Sequence, residues 1–210
     1  MTDKFIAIVQ ARMGSSRLPN KSMLHLKGCP VIEWVFRRAS QAREIHGLVF
    51  AIPQTEENDP LAYYLTTLGA NIFRGSEVDL IERFYEAAQK WKATNVIRIS
   101  ADCPFISSSE IDHLITFFKS GHYDYAYNNV PVNNRYPDGI GAEIMPFAIL
   151  ERLHKEAKEP YDREHVSTYI RSRPEMFNIG TFDPIDKRLH SPEIRVDLDT
   201  PQDYEKLLRL

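Results

Sequence analysis

Apolar residues along this chain fall into two kinds of pattern, short continuous runs and stripes at helical spacing, and the two alternate. FIAIVQ (Phe5 to Gln10), GLVFAI (Gly47 to Ile52) and VIRIS (Val96 to Ser100) are β-branched runs of strand length, as expected for strands covered on both faces. After Pro30, which suits a helix first turn, Val31, Ile32, Val35, Phe36 and Ala39 recur at helical spacing. The segment from Pro60 to Leu68 reads as a helix ended by Gly69, and ANIFRG begins the next unit. Leu80, Ile81, Phe84, Ala87, Ala88 and Trp91 mark a further helix, with Ser76 as its expected cap and Asp79 in its first turn. This alternation, continuing to about residue 119, predicts an α/β fold: a Rossmann-like, mostly parallel sheet with helices on both faces.

The second half is less regular and reads as an insertion into that frame. YDYAYNN, FNIGTF and EIRVDL are expected strands, the stretch from Asn128 to Gly141 is a loop, and Pro146 to Glu156 and Asp162 to Arg171 are expected helices. Thr200 and Pro201 open a final helix by the cap-then-proline rule. The aromatic residues Trp34, Phe84, Trp91, Phe117 and Phe118 lie on apolar stripes and are assigned to the core.

Length and charge narrow the classes. With 210 residues and 43% hydrophobic content the chain can bury a sizeable core, and a single domain over 1–210 is expected. A formal charge of −3 argues against general nucleic-acid binding and leaves small anions as partners. Two cysteines, Cys29 and Cys103, fit neither a disulfide framework nor a thiolate metal site and are expected to be buried. No charged-then-apolar leader and no apolar run of about 18 residues occurs, so no membrane insertion and a cytoplasmic location are expected.

The richest chemistry lies in QARMGSSRLPNK (Gln10 to Lys21), directly behind the first strand. Ligands of open α/β sheets bind at the carboxyl ends of strands, and here Gln10, Ala11 and a Gly14-Ser15-Ser16 turn leave such an end with Arg12, Arg17 and Lys21 around them. Gly14 is expected to allow a special backbone conformation, the serines to add donors, and the cations to surround a polyphosphate. A solvated loop with ordinary surface cations is the competing reading. The Walker and dinucleotide glycine signatures are both missing. Asp102 follows VIRIS and suits a metal ligand at a strand end, or else a turn cap. Asp197 and Asp199, one residue apart in a strand-like segment, would share a face and need a cation between them; an exposed strand end and a helix-start acid is the alternative.

Taken with RGSEVDLIERF, ISADCPF, YPDGIGAEI, REHVSTYI and VDLDTPQDY, the loop resembles the sugar nucleotidyltransferases, and most closely the spore-coat-type cytidylyltransferases related to the synthetases that activate acidic sugars with CTP. The resemblance spans nearly the whole chain. It implies the nucleotide-diphospho-sugar transferase type of fold, with a nucleotide-binding part over 1–120 and an acceptor-binding, metal-completing part over 121–210. It implies Mg²⁺ held by Asp102, Asp199 and Asp197, although spore-coat-type members often carry a hydroxyl residue where Asp197 stands. Arg12, Arg17 and Lys21 would hold the triphosphate, with Arg12 and Lys21 acting in catalysis beside Asp102. Arg74, Gly75 and Ser76 match a nucleotide-contacting turn, for which a plain helix cap is the alternative. Tyr136, Gly139, Glu143, Arg163 and His165 match acceptor-facing positions, the arginine pairing with a sugar carboxylate; an ordinary turn and a structural histidine compete with these readings.

The expected reaction couples CMP from CTP to a sugar acceptor, an acidic one such as a 3-deoxy-ulosonic or nonulosonic acid, in surface-glycan synthesis. A nucleotidyltransferase using another triphosphate or a phosphorylated acceptor, a nucleotide-sugar-dependent glycosyltransferase, and a noncatalytic nucleotide sensor are the rivals. A homodimer is expected only by analogy with related synthetases.

Overall fold

A computed structural model describes residues 3–210. Strand β1 (Phe5–Gln10) is followed by a long loop, a short antiparallel pairing of β2 (His25–Leu26) with β3 (Cys29–Pro30), and helix α1 (Val31–Ala39). Then come β4 (Gly47–Pro53), α2 (Asp59–Thr67), β5 (Asn71–Gly75), α3 (Leu80–Lys90), β6 (Asn95–Ser100) and α4 (Ser108–Lys119). The remainder supplies β7 (Tyr125–Tyr127), β8 (Glu143–Pro146), α5 (Phe147–Glu156), α6 (Pro160–Glu164), α7 (Thr168–Arg171), β9 (Ile179–Thr181) and α8 (Pro201–Leu208).

Seven strands form one sheet in the order β5, β4, β1, β6, β8, β7, β9. The first four run parallel, β8 is antiparallel to both neighbours, and β9 returns parallel to β7. From β1 the chain runs outward to β4 and β5, then crosses back to place β6 on the other side of β1, so the strand order reverses there. That reversal opens a crevice at the carboxyl ends of the strands. Register keeps the ends level, with Gln10 beside both Ala51 and Ser100.

Helices cover both faces as the apolar stripes require. One face packs α1, α2 and α4 through Ile32, Val35, Leu61, Leu65, Ile111 and Leu114. The other packs α3 and α5 through Ile81, Phe84, Ala87, Leu150 and Leu153. The five aromatics assigned to the core all pack against these clusters or a smaller third one. Among the described residues no helix is long and apolar enough to cross a membrane.

Five local expectations are corrected. Pro30 precedes α1 as its extended cap residue instead of entering the first turn. Asp79, not Ser76, caps α3: its Oδ1 accepts from Glu82 N at 2.8 Å, while Ser76 Oγ accepts from Asp79 N at 3.2 Å. The helix expected over Asp162 to Arg171 breaks because His165 is extended (φ −132°, ψ 100°), leaving α6 and α7 separate. EIRVDL is not a strand; its neighbour is the irregular Tyr136–Gly141 segment, which gives one isolated bridge, Asp138 to Arg195, instead of a ladder. Both cysteines are half-buried free thiols, not fully buried side chains.

Candidate active site

The loop after β1 is anchored through its apolar residues and its backbone. Met13 and Leu18 are buried in different core clusters, so the chain between them is tethered at both ends. Met13 N donates to Oδ1 of the buried Asn58 at 2.8 Å, and Asn20 N donates to Met13 O at 3.2 Å. Asn20, at φ 58°, supplies the left-handed turn. Gly14 does not, and a Cβ there would meet Glu57 Oε1 at an ordinary 3.5 Å; the conformational role expected of Gly14 falls instead to Asn20. Among the described residues no backbone acceptor takes up the amides of Ser15, Ser16 or Arg17.

A cavity of about 410 Å³ opens above this loop. Gln10, Ala11, Arg12, Ser15, Ser16, Arg17 and Lys21 form one wall, Arg98, Ser100 and Asp102 the floor, and Asp199 closes one end. Lys21 Nζ donates to Asp102 Oδ2 at 2.6 Å and to Asp199 Oδ1 at 2.9 Å. Arg17 reaches Asp199 Oδ2 at 3.1 Å. Burial works against the Lys21 ammonium, but Asp102 and Asp199 outweigh it and hold its pKa above the usual lysine value. Burial also opposes the Asp102 carboxylate, and Lys21 outweighs that, holding it below the usual range.

Asp199 arrives through backbone contacts. Leu198 N donates to Asp102 O at 2.8 Å, and the next residues form a capping box in which Thr200 Oγ1 and Asp203 satisfy the start of α8. The preceding segment is held by Val196 N donating to Asp138 O at 2.9 Å. Gly139 (φ +97°) permits this, since a Cβ would stand 2.7 Å from Asp197 N. The close approach expected at Gly139 is therefore to this chain's own backbone. Asp197 does not join the pair: Arg195 Nη2 donates to its Oδ2 at 2.6 Å, and it lies outside the cavity wall.

Two carboxylates drawn to one ammonium converge on one point, and such a point suits a hard cation whose other ligands are waters and phosphate oxygens. Among the described residues no cluster of three or more His, Cys, Asp or Glu side chains gathers. Asp102 and Asp199 are, among the described residues, the carboxylates that meet at Lys21.

The remaining expected positions are distributed differently. His165 lines the cavity because the break after α6 turns it inward, and Glu164 beside it lies 3.8 Å from Arg12 across the opening. Arg163 points elsewhere: its guanidinium pairs side-on with Asp79, Nε at 2.6 Å, and Nη1 donates to His154 O at 3.0 Å. Arg74 is held by Pro53 O, Thr55 O and Asp59, and neither it nor Gly75 nor Ser76 lines the cavity. Tyr136 is fully buried and donates to Glu110 Oε2 at 2.6 Å, so it is a core residue. Glu143 is a buried anion receiving Arg98 Nη1 at 2.8 Å and Arg171 Nη2 at 3.5 Å. Burial opposes its charge, and the two arginines outweigh it and keep its pKa low. Glu143 does not line the cavity, whereas Arg98, which it holds, does.

Arg83, Arg98 and Ser100 are cavity residues that the sequence reading did not single out, whereas Glu164 belongs to the matched Arg163-Glu164-His165 element. Arg98 and Ser100 sit two apart on β6 and so share a face, a signal visible in VIRIS.

An Arg163→Gln variant tests the structural reading of that residue. Losing the pair with Asp79 should lower stability by about 2 kcal/mol, since charge-assisted bonds of this kind contribute about that much. Affinity for CTP should stay within about twofold. A melt unchanged from wild type together with weakened nucleotide binding would reverse the assignment.

The cytidylyltransferase family model matches residues 6–210. The chain belongs to the cytidylyltransferase family. It is 30% identical over 208 residues to the spore coat polysaccharide biosynthesis protein SpsF of Bacillus subtilis, covering 97% of this chain and 84% of that one. It is 25% identical over 222 residues to 8-amino-3,8-dideoxy-manno-octulosonate cytidylyltransferase of Shewanella sediminis, covering 97% and 83%. A solved cytidylyltransferase from Leptospira borgpetersenii superposes with a TM-score of 0.89 at 28% identity, covering 99% of this chain and 86% of that one. The expected fold, a mostly parallel sheet between helices, is that of this cytidylyltransferase neighbour.

Proposed function

We propose that this cytidylyltransferase-family protein couples CMP from CTP to a hydroxyl of an acidic sugar, releasing pyrophosphate, in the synthesis of a surface glycan. The observation that carries the reading is the convergence of Asp102 and Asp199 on Lys21 beside a loop bearing Arg12 and Arg17. The acidic acceptor is supported by the octulosonate relative and by the cationic wall of the cavity.

In the proposed reaction the acceptor oxygen forms a bond to the α-phosphorus and gives up its proton to solvent, while the bond from that phosphorus to the bridging oxygen of pyrophosphate breaks. Charge accumulates on the leaving pyrophosphate. Arg12, Arg17 and Lys21, with the amides of Ser15 and Ser16, would neutralise it. Asp102 and Asp199 would hold Mg²⁺, which when bound supplies Lewis-acid neutralisation of phosphate oxygens. Lys21 then has the phosphates as partners in place of part of its present carboxylate contact. No covalent intermediate on the protein is required.

Thermal melts with CTP, UTP, GTP and ATP, each with and without Mg²⁺, test this without an acceptor. At about 100 times its dissociation constant, a ligand adds about 2.7 kcal/mol to the native state. CTP with Mg²⁺ is expected to stabilise the protein most. A larger shift with another triphosphate would remove the cytidine assignment, and no shift with any would remove the reaction.

A further inference from the structure

The inward stripe of α3 carries one cation, Arg83, between the buried Leu80 and Ala87. It is 4% exposed and lines the cavity. Nη1 donates to the carbonyl of Ser76, but the buried Nε has no hydrogen-bond partner among the described residues. The other deeply placed arginines nearby are neutralised, Arg98 by Glu143 and Arg163 by Asp79. Among the described residues Arg83 has no such contact. Burial pushes its pKa down to about 10, Arg12 adds a like charge, and Glu77 and Asp79 offset this only through space. A buried cation without a counter-charge is costly, and a cavity that keeps one is complete only when a ligand brings the anion.

The guanidinium is also held in place. Its stem lies against the bare backbone of Gly75, where a Cβ would stand 3.1 Å from Arg83 Cγ and 2.7 Å from the Phe73 ring. The triphosphate already has Arg12, Arg17 and Lys21 on the loop wall, whereas Arg83 projects from the α3 wall beside Val78 and Leu80. With Nη1 given to Ser76 O and Nε shut away from solvent, Nη2 is the part of this planar guanidinium that, among the described residues, has no partner and is left for a carboxylate oxygen.

We infer that Arg83 is the residue that binds the carboxylate of the acceptor, the part first expected of Arg163. This rests on the proposed acidic-sugar reading. Arg83 thereby separates acid acceptors from neutral sugars, while the loop cations serve the nucleotide.

The test compares wild type with Arg83→Gln, using 3-deoxy-manno-octulosonate and N-acetylneuraminate as acceptors and calorimetry for CTP. The variant should raise the acceptor KM on the order of 10- to 100-fold, the loss of one charge-assisted pair, with CTP affinity within about twofold of wild type. Arg83→Lys, which keeps the charge without the fork, should recover part of the loss. An unchanged acceptor KM overturns the inference and leaves the acidic-sugar reading standing. A CTP affinity that falls in step with acceptor binding also overturns it, since the anion is then a phosphate. Wild type that turns over neutral sugars and neither acid removes both. Should Arg83→Gln fail to fold, the wild-type KM for each free acid against its methyl ester decides the matter, and equal values overturn the assignment.

Discussion

A folded Asp102→Asn protein is expected to release pyrophosphate from CTP at least about 10³-fold more slowly than wild type. The substitution is nearly isosteric, and the amide oxygen can still accept from Lys21, whose Nζ now lies 2.6 Å from Asp102 Oδ2. What it removes is one of the two negative charges that converge there. Leu198 N still donates to the backbone carbonyl of residue 102, so Asp199 keeps its place. The loss should therefore appear in turnover with the melting temperature little changed. Pyrophosphate release within about tenfold of wild type, from a protein with a normal melt, would take Asp102 out of the reaction.

Gly141→Ala is expected to act in the opposite way, through the fold. A Cβ at Gly141 would stand 2.1 Å from the carbonyl oxygen of Asn128 and 2.4 Å from its Oδ1. Asn128 cannot move aside cheaply. It is fully buried, its Nδ2 donates to Glu110 O at 2.9 Å, and its Oδ1 accepts from Ala142 N at 2.9 Å. Relieving the clash breaks at least one of these bonds and leaves a buried polar group unpaired, costing about 3 kcal/mol. At about 3 °C per kcal/mol for a chain of this size, the melting temperature should fall by about 10 °C. A shift below about 2 °C in a calorimetric scan would show that the turn relaxes without losing the pairing.

The contrast between these two positions shows where sequence reasoning reached. Asp102 was legible because a continuous apolar run ended immediately before it, and the strand end is where sheets of this kind place ligands. The loop from Gln10 to Lys21 was legible for the same local reason, and Asp199 through its spacing to Asp197 and the resemblance carried by VDLDTPQDY. Arg163 was not, because its meaning depends on Asp79, 84 positions away, which takes its guanidinium. A carboxylate in a distant turn decides whether that arginine faces ligand or protein. Asp197 was read on a strand, and the segment is irregular chain, yet one cation does lie between the two acids: Arg195 Nη2 is 2.6 Å from Asp197 Oδ2 and 3.9 Å from Asp199 Oδ2. Tyr136 and Glu143 were read as recognition residues from the resemblance of YPDGIGAEI to an acceptor-facing segment, yet both are buried with partners on α4 and β6. Arg83 was hidden by the opposite bias, a charge on an apolar stripe being easily read as surface.

The contact between Lys21 and Asp199 joins residues 178 positions apart. During synthesis the nucleotide loop and Asp102 emerge long before their last partner. Until then Lys21 has a single carboxylate, and the segment that presents Asp199, hung from the carbonyl of residue 102, does not exist. A ribosome-bound chain can thus fold most of its parallel strands before the second carboxylate on Lys21 exists, and that contact forms only with the arrival of the last helix.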